Sequence, residues 1–241
     1  MPKLTSNDVH VWSAALDDPT ASMDACQPLL SADEQERARR FRAPQDRRRF
    51  AVARARLRLI LSRYLDVHPL DVRFRLGFHG KPELDAGTAD PPLVFNVSHS
   101  AEMAVYAVAE RGRVGIDIER VSRTVDHSSL AERFFSDAEI ASLRAVPEAE
   151  RTEAFFSCWT RKEAYLKATG EGLSYPLDAF TVSIGRSRPA AMLEHGHDAE
   201  EPHRWSFEDL RISAGYVAAV AFDGGRRRLS TGQWRLDGPD D

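Results

Sequence analysis

Lysine is almost missing from this chain of 241 residues: Lys3, Lys81, Lys162 and Lys167 stand against 29 arginines. Arginine serves nearly every surface cation, so the three internal lysines mark places where lysine itself is wanted. Cysteine is also scarce. Cys26 and Cys158 lie far apart and form neither a disulfide framework nor a Cys-x-x-Cys metal or redox motif. No stretch approaches the ~20 apolar residues of a membrane helix. Met1 to Trp12 is polar and mixed, without the apolar segment of a signal peptide. These absences predict a soluble, cytoplasmic protein without membrane association. The net charge of −4 excludes a general nucleic-acid coat but leaves room for a local basic face. The histidines lack His-Glu-x-x-His spacing, so there is no case for zinc.

Hydrophobic residues make up 42% of the chain, enough to fill a core and to exclude global disorder. Ser31-Ala-Asp-Glu34 is a capping box that opens a helix rich in arginine. After Pro44 a longer helix is predicted, with Asp46 as its cap and Phe50, Ala53, Leu57, Ile60 or Leu61, and Tyr64 at helical spacing. Ten arginines fall between Arg37 and Arg58, most of them read as a solvated helix face. Strands are predicted over Val72 to Phe78, Phe95 to Val97, Ala101 to Ala109, Val114 to Glu119, Phe180 to Ile184 and Val217 to Phe222. A helical stretch starts at Leu130. The longest helix runs from Glu148 to Thr169 and stops at Gly170. Glu194 to His203 reads as a charged loop, and the tail from Gly232 as frayed. Tyr106-Ala-Val-Ala109 is echoed by Val217-Ala-Ala-Val-Ala221, which suggests two similar α+β halves with a ligand cleft between them.

Four short patterns carry chemistry. In Val114-Gly-Ile-Asp-Ile-Glu119 a period of two puts Asp117 and Glu119 on one strand face beside Gly115. Two hard carboxylates at that spacing suit Mg²⁺, which takes one or two carboxylates plus phosphate oxygens and water. The competing reading is an edge strand with a solvated acidic face. In Trp159-Thr-Arg-Lys-Glu-Ala-Tyr-Leu-Lys167, Glu163 and Lys167 share a helix face at i and i+4. They are either a third metal carboxylate and a phosphate-directed cation, or an ordinary surface pair. Asn96-Val-Ser-His-Ser100 reads as a turn closing a strand, able to offer donors to a phosphate. Gly80-Lys81-Pro82 puts a lysine on a tight turn.

In this order and spacing the four patterns resemble the 4′-phosphopantetheinyl transferase superfamily, in particular its long, monomeric Sfp-type members. The motifs span residues 80 to 167, and the arginine helix extends the match back to about Ser31. The resemblance implies an α+β fold of two similar halves packed as an intramolecular pseudo-dimer. The N-terminal half would be residues 1–110 and the C-terminal half 111–225, with 226–241 as a tail. It implies transfer of phosphopantetheine from coenzyme A to a serine of an apo acyl or peptidyl carrier protein, releasing adenosine 3′,5′-bisphosphate. By the same resemblance, Asp117, Glu119 and Glu163 hold Mg²⁺ or Mn²⁺, Glu163 is the base and Lys167 steadies the leaving phosphate. Arg37, Arg49, Lys81, Ser98 and His99 grip the nucleotide end, with His99 as imidazolium. Arg37 stands where some relatives carry lysine. The alternative is a binding module that grips nucleic acid or another polyanion through the arginine helix, without catalysis.

Overall fold

The computed structural model describes residues 3–77, 80–85, 92–185, 188–235 and 238–239. Strand β1 (Asp8–Ala15) is followed by the short helix α1 (Met23–Cys26), by α2 (Ala32–Arg39) and by α3 (Pro44–Leu65). The hairpin β2 (Phe74–Leu76) and β3 (Pro82–Leu84) leads into β4 (Val94–Ser100) and β5 (Met103–Ala109). Then come β6 (Val114–Arg120), α4 (His127–Phe134), α5 (Asp137–Ala145) and α6 (Glu148–Thr169). The chain continues through β7 (Phe180–Val182), β8 (Met192–His195), α7 (Glu201–Arg204), β9 (Trp205–Leu210), β10 (Tyr216–Asp223), β11 (Arg228–Arg235) and β12 (Gly238–Pro239).

The architecture is α+β and internally repeated. In the first half β1 pairs antiparallel with β5, and β5 antiparallel with β4. In the second half β6 pairs antiparallel with β10, and β10 antiparallel with β9. Each half therefore orders its sheet first–last–penultimate strand, and each carries one 22-residue helix, α3 or α6. Trp12, Leu57, Ile60, Leu61 and Tyr106 form the core under α3, while Phe155, Cys158, Leu166, Phe180 and Phe207 form the core around α6. A third core lies between the sheets. Val9, Val11, Val105 and Ala107 of one sheet pack with Ile116, Ile118, Val220 and Phe222 of the other. No helix among the described residues is long and apolar enough to cross a membrane.

Several local expectations change. The long helix starts at Pro44 with Ala43 at its cap position, and Asp46 sits inside the first turn. Proline needs no N–H partner there and brings a helical φ with it. Asn96 to Ser100 is not a turn but the end of β4; the hairpin loop is Ala101–Glu102, with Ala101 at φ 49°. The helix expected from Leu130 begins at His127, where Asp126 accepts a cap bond from Ser129 N. Strand β2 covers only Phe74–Leu76 of the span from Val72 to Phe78, and a 3₁₀ turn at Pro69–Asp71 precedes it; Phe78 lies outside the described residues. The charged loop after Glu194 contains the end of β8 and the helix α7.

The arginine-rich stretch is a solvated face only in part: Arg37, Arg39, Arg40, Arg42 and Arg47 are exposed, while later arginines turn inward. Arg56 and Arg58 are buried and Arg54 is half-buried. Arg58 Nε donates to Glu34 Oε2 at 2.7 Å, Arg54 pairs with the same carboxylate, and Glu34 Oε2 also accepts the capping bond from Ser31 N at 2.9 Å. One buried carboxylate thus caps α2 and joins it to α3. Arg58 Nη1 reaches the carbonyls of Pro69 and Val72, both at 2.9 Å. These guanidiniums are spent inside the fold and are not offered to a polyanion.

The end expected to be frayed is built into the sheet through β11 and β12, which pair antiparallel (Trp234↔Pro239, Arg235↔Gly238). Strand β11 returns from the second half and pairs parallel with β1, from Asp8↔Arg228 to Ser13↔Gln233. Asp8 anchors it. Its carboxylate accepts from Arg228 Nε at 2.7 Å, and from Thr5 N and Oγ1 at 2.9 and 2.6 Å. These bonds, that of Arg228 first, hold the Asp8 pKa down at about 2. A carboxylate depressed in the folded state adds stability above its unfolded pKa and loses it as pH falls toward the folded value. Asp8→Asn should therefore be less stable than the native chain at neutral pH. In urea titrations that difference should narrow as pH falls from about 5 to about 3.

Candidate active site

Strand β6 and helix α6 touch backbone to backbone, and Gly115 is the reason. A Cβ at position 115 would collide with Ala164 O and Ala168 N, and would stand 2.9 Å from Ala168 Cα. With no side chain there, the helix lies directly on the strand. That closeness brings the outward carboxylates of β6, Asp117 and Glu119, to Glu163 and Lys167 on α6.

The third wall is β4, which joins β6 through side chains rather than a backbone ladder. Asn96 Oδ1 accepts from Ile116 N at 2.9 Å, and Ser100 Oγ accepts from Arg120 N at 3.1 Å. Between them Ser98 Oγ donates to Asp117 Oδ1 and Ser100 Oγ donates to Glu119 Oε2, each at 2.8 Å. The Asn-x-Ser-x-Ser alternation aims three polar side chains at one strand edge, as a period of two requires. Asn96 and Ser100 were not singled out in the sequence, although that alternation was there to be read.

Asp117 is 2% exposed, which removes the reading of β6 as a solvated acidic edge. Lys167 Nζ donates to Asp117 Oδ1 at 2.5 Å and to Ser98 Oγ at 2.8 Å. Asp117 Oδ2 is buried and has no hydrogen-bond partner among the described residues. Burial raises the Asp117 pKa against the opposing pull of Lys167 and Ser98. Burial and the Asp117 charge raise that of Glu119, with the Ser100 bond acting against them. Glu163 is pushed up to about 7, by burial first and then by the Asp117 carboxylate, with Lys167 opposing. Three hard-oxygen acids thus repel one another in a half-buried cleft beside a single ammonium group. Such a cluster is short of positive charge, and one of its buried carboxylate oxygens has no partner among the described residues.

The donor set fits Mg²⁺ or Mn²⁺ in kind. Among the described residues no three such groups already form a coordination shell, since Lys167 and Ser98 hold Asp117 Oδ1 and Ser100 holds Glu119 Oε2. Trp159, one turn before Glu163, is half-buried, stacked on Phe155 and edge-on to Phe134 at centroid distances of 6.0 and 5.8 Å.

The nucleotide-gripping candidates are more dispersed. His99 follows Ser98 on β4 and is exposed; the atoms packed around it and the Lys167 charge lower its pKa, so the expected imidazolium is disfavoured in the ligand-free chain. Lys81 Nζ donates to the Lys167 carbonyl at 2.5 Å, at the C-terminal end of α6, and burial lowers its pKa to about 8. Lys81 also lines a cavity of about 340 Å³ with Arg75, Phe95, Arg113 and Gly170. Arg37 is exposed, its guanidinium 5.4 Å from the Phe50 ring centroid. Arg49 is paired with Asp17.

Two residues of the α6 motif are structural. Arg161, fully buried, reaches Asp209 at 3.0 and 2.6 Å, Ser183 O at 2.5 Å and Gly185 O at 3.0 Å. Lys162, also fully buried, pairs with Glu139 at 2.8 Å and donates to the carbonyls of Leu177 and Phe180 at 2.7 and 2.6 Å. They turn away from the cleft and fix the helix on which Glu163 and Lys167 are mounted.

Gly115→Ala should lower stability by about 1–3 kcal/mol through overpacking and shift α6 off β6, read by thermal denaturation and a crystal structure of the variant. Lys162→Met strands the buried Glu139 carboxylate and should cost about 3–5 kcal/mol in a urea titration.

A sequence profile described as the 4′-phosphopantetheinyl transferase superfamily matches residues 113–221, and one described as the 4′-phosphopantetheinyl transferase N-terminal region matches residues 12–111. The chain is 40% identical over 225 residues to the 4′-phosphopantetheinyl transferase HetI of Nostoc sp., covering 92% of each protein. It is 34% identical over 156 residues to the 4′-phosphopantetheinyl transferase Sfp of Bacillus subtilis, covering 65% of this chain and 67% of that one. It is also 27% identical over 217 residues to the human L-aminoadipate-semialdehyde dehydrogenase-phosphopantetheinyl transferase, covering 83% of this chain and 70% of that one. The motifs that build the cleft lie within these matches, and the chain belongs to the 4′-phosphopantetheinyl transferase superfamily.

Proposed function

We infer that this chain is a transferase that moves the 4′-phosphopantetheine group of coenzyme A onto a serine of an apo acyl or peptidyl carrier protein, acting as a monomer. The observation that carries the reading is the cluster in which Lys167 and Ser98 hold one oxygen of the buried Asp117 while the other stays open, with Glu119 and Glu163 alongside. The division at residues 110 and 111 into a nucleotide-gripping half and a catalytic half is supported by the sheet order, which restarts at β6.

In the reaction the serine Oγ bonds to the phosphorus that carries pantetheine, and the P–O bond to the adenosine bisphosphate breaks. Glu163 takes the serine proton. With no metal bound, burial and the neighbouring carboxylates raise its pKa to about 7, which suits a group that must accept a proton. Lys167, mounted one turn later on α6, places an ammonium where charge gathers on the leaving phosphate. Asp117, Glu119 and Glu163 would hold Mg²⁺ or Mn²⁺, which when bound supplies positive charge across the pyrophosphate oxygens. Ser98 and Ser100 keep two of those carboxylates turned toward the cleft. His99, Arg37, Arg49 and Lys81 supply donors for the nucleotide end; a phosphate beside His99 would raise its pKa and restore the imidazolium.

The test mixes the chain with coenzyme A, Mg²⁺ and several apo carrier proteins and follows intact mass. A phosphopantetheine adduct is expected on at least one carrier, and none on any of them refutes the reading. Glu163→Gln, nearly isosteric, should cut transfer by about 10²–10⁴-fold with the thermal midpoint retained. Near-native turnover in that variant would remove Glu163 as the base.

A further inference from the structure

Arg49 presents only part of its guanidinium to a ligand, and the part is chosen by Asp17. Arg49 Nε donates to Asp17 Oδ1 at 3.0 Å and Nη2 to Oδ2 at 2.5 Å, so the carboxylate takes the side edge of the fork. Among the described residues the Nη1 end has no hydrogen-bond partner, and the Arg49 side chain is 21% exposed. The carboxylate is itself fixed. Buried Arg56 holds the loop through the Ala15 carbonyl and through Asp18 Oδ2 at 2.9 Å. Arg48 Nη2 holds it through the Asp18 carbonyl at 2.6 Å, with Nη1 3.6 Å from Asp17 Oδ1. Gln45 Nε2 lies 3.4 Å from Asp17 Oδ2. The same loop is stitched to the cleft, because Leu16 N donates to the carbonyl of Glu102, in the hairpin loop that follows Ser98, His99 and Ser100. Glu102 also raises the Arg49 pKa.

We propose that Asp17 is a positioning residue that clamps the Nε–Nη2 edge of Arg49 and turns its Nη1 end toward the 3′-phosphate of coenzyme A, so that Asp17 sets the preference for coenzyme A over 3′-dephospho-coenzyme A. This rests on the reading of Arg49 as a nucleotide-end donor. A side-edge pair with a fixed carboxylate removes most of the rotamer freedom of a long arginine. The Nη1 end is then ordered before the ligand arrives. Simple electrostatics makes the opposite forecast, since removing an anion beside an anion site should tighten binding.

The experiment is calorimetric titration of the full chain with coenzyme A and with 3′-dephospho-coenzyme A, comparing native protein, Asp17→Asn, Asp17→Glu, Arg49→Ala and the Asp17→Asn/Arg49→Ala double variant. Asp17→Asn should weaken coenzyme A binding by about 5–10-fold, the loss of one ordered charge-assisted contact. It should leave the dephospho compound unchanged and raise KM for coenzyme A without lowering kcat. Asp17→Glu should regain part of the loss, and in the Arg49→Ala background Asp17→Asn should have no effect. If Arg49→Ala discriminates between the two ligands while Asp17→Asn leaves coenzyme A binding unchanged or tighter, the positioning role is overturned and the Arg49 reading stands. If Arg49→Ala weakens both ligands equally or neither, the Arg49 reading fails and the role of Asp17 fails with it.

Discussion

Between strand β6 and helix α6 there is no room for a methyl group, and at position 115 there is none. A helix normally stands off a sheet by the thickness of its side chains. Here the backbone of α6 comes down onto the strand, and Asp117, Glu119, Glu163 and Lys167 are compressed into one cleft. Burial raises all three carboxyl pKa values, the neighbouring carboxylates add to it at Glu119 and Glu163, and Lys167 opposes it; the strain is tolerated because the helix is fixed elsewhere. Arg161 and Lys162, both fully buried and paired with Asp209 and Glu139, hold it from behind. Within the run Arg161-Lys162-Glu163 two cations serve the fold and the adjacent acid serves the cleft.

The duplicated topology contains a deliberate inequality. The two halves share strand order and helix length, so β1 in the first corresponds to β6 in the second. Among the described residues the free edge of β6 is hydrogen-bonded to β4 through the side chains of Asn96, Ser98 and Ser100, and that seam is where the polar cluster forms. The corresponding edge of β1 is closed by β11 in a full parallel ladder. Gly232 there lies opposite Trp12, whose ring leaves no space for a Cβ and whose Nε1 donates to Tyr64 OH at 2.8 Å. A backbone ladder satisfies its own donors and acceptors, so nothing polar is left over for chemistry. One seam carries the polar cluster, and the other became core.

Much of the cleft was legible in the sequence, because its residues sit at fixed spacings on long regular elements. Asp117 and Glu119 follow the period of a strand, and Glu163 and Lys167 that of a helix. What stayed illegible depends on which chain segments meet. That Asn96 and Ser100 stand in for a missing ladder follows from β4 lying beside β6, which no local pattern states. Arg54, Arg56 and Arg58 look in sequence like their exposed neighbours Arg39, Arg40 and Arg42. Only the position of Glu34 and of the Asp18 loop separates buried from solvated. Strand β1 and the tail strand were hidden for a related reason: their short, mixed segments become strands by joining a sheet already in place, where tertiary pairing outweighs local propensity.

The return of β11 to the first half also bears on how the chain is made. On a ribosome, α3, β4 and β5 emerge early, yet the outer edge of β1 has no partner until residues 228–235 have left the exit tunnel. Until then the first half exposes a strand edge that can pair with a stranger. A segment synthesised more than 200 residues later thus closes the first strand, and a product truncated before residue 228 is a template for aggregation before it is a defective enzyme.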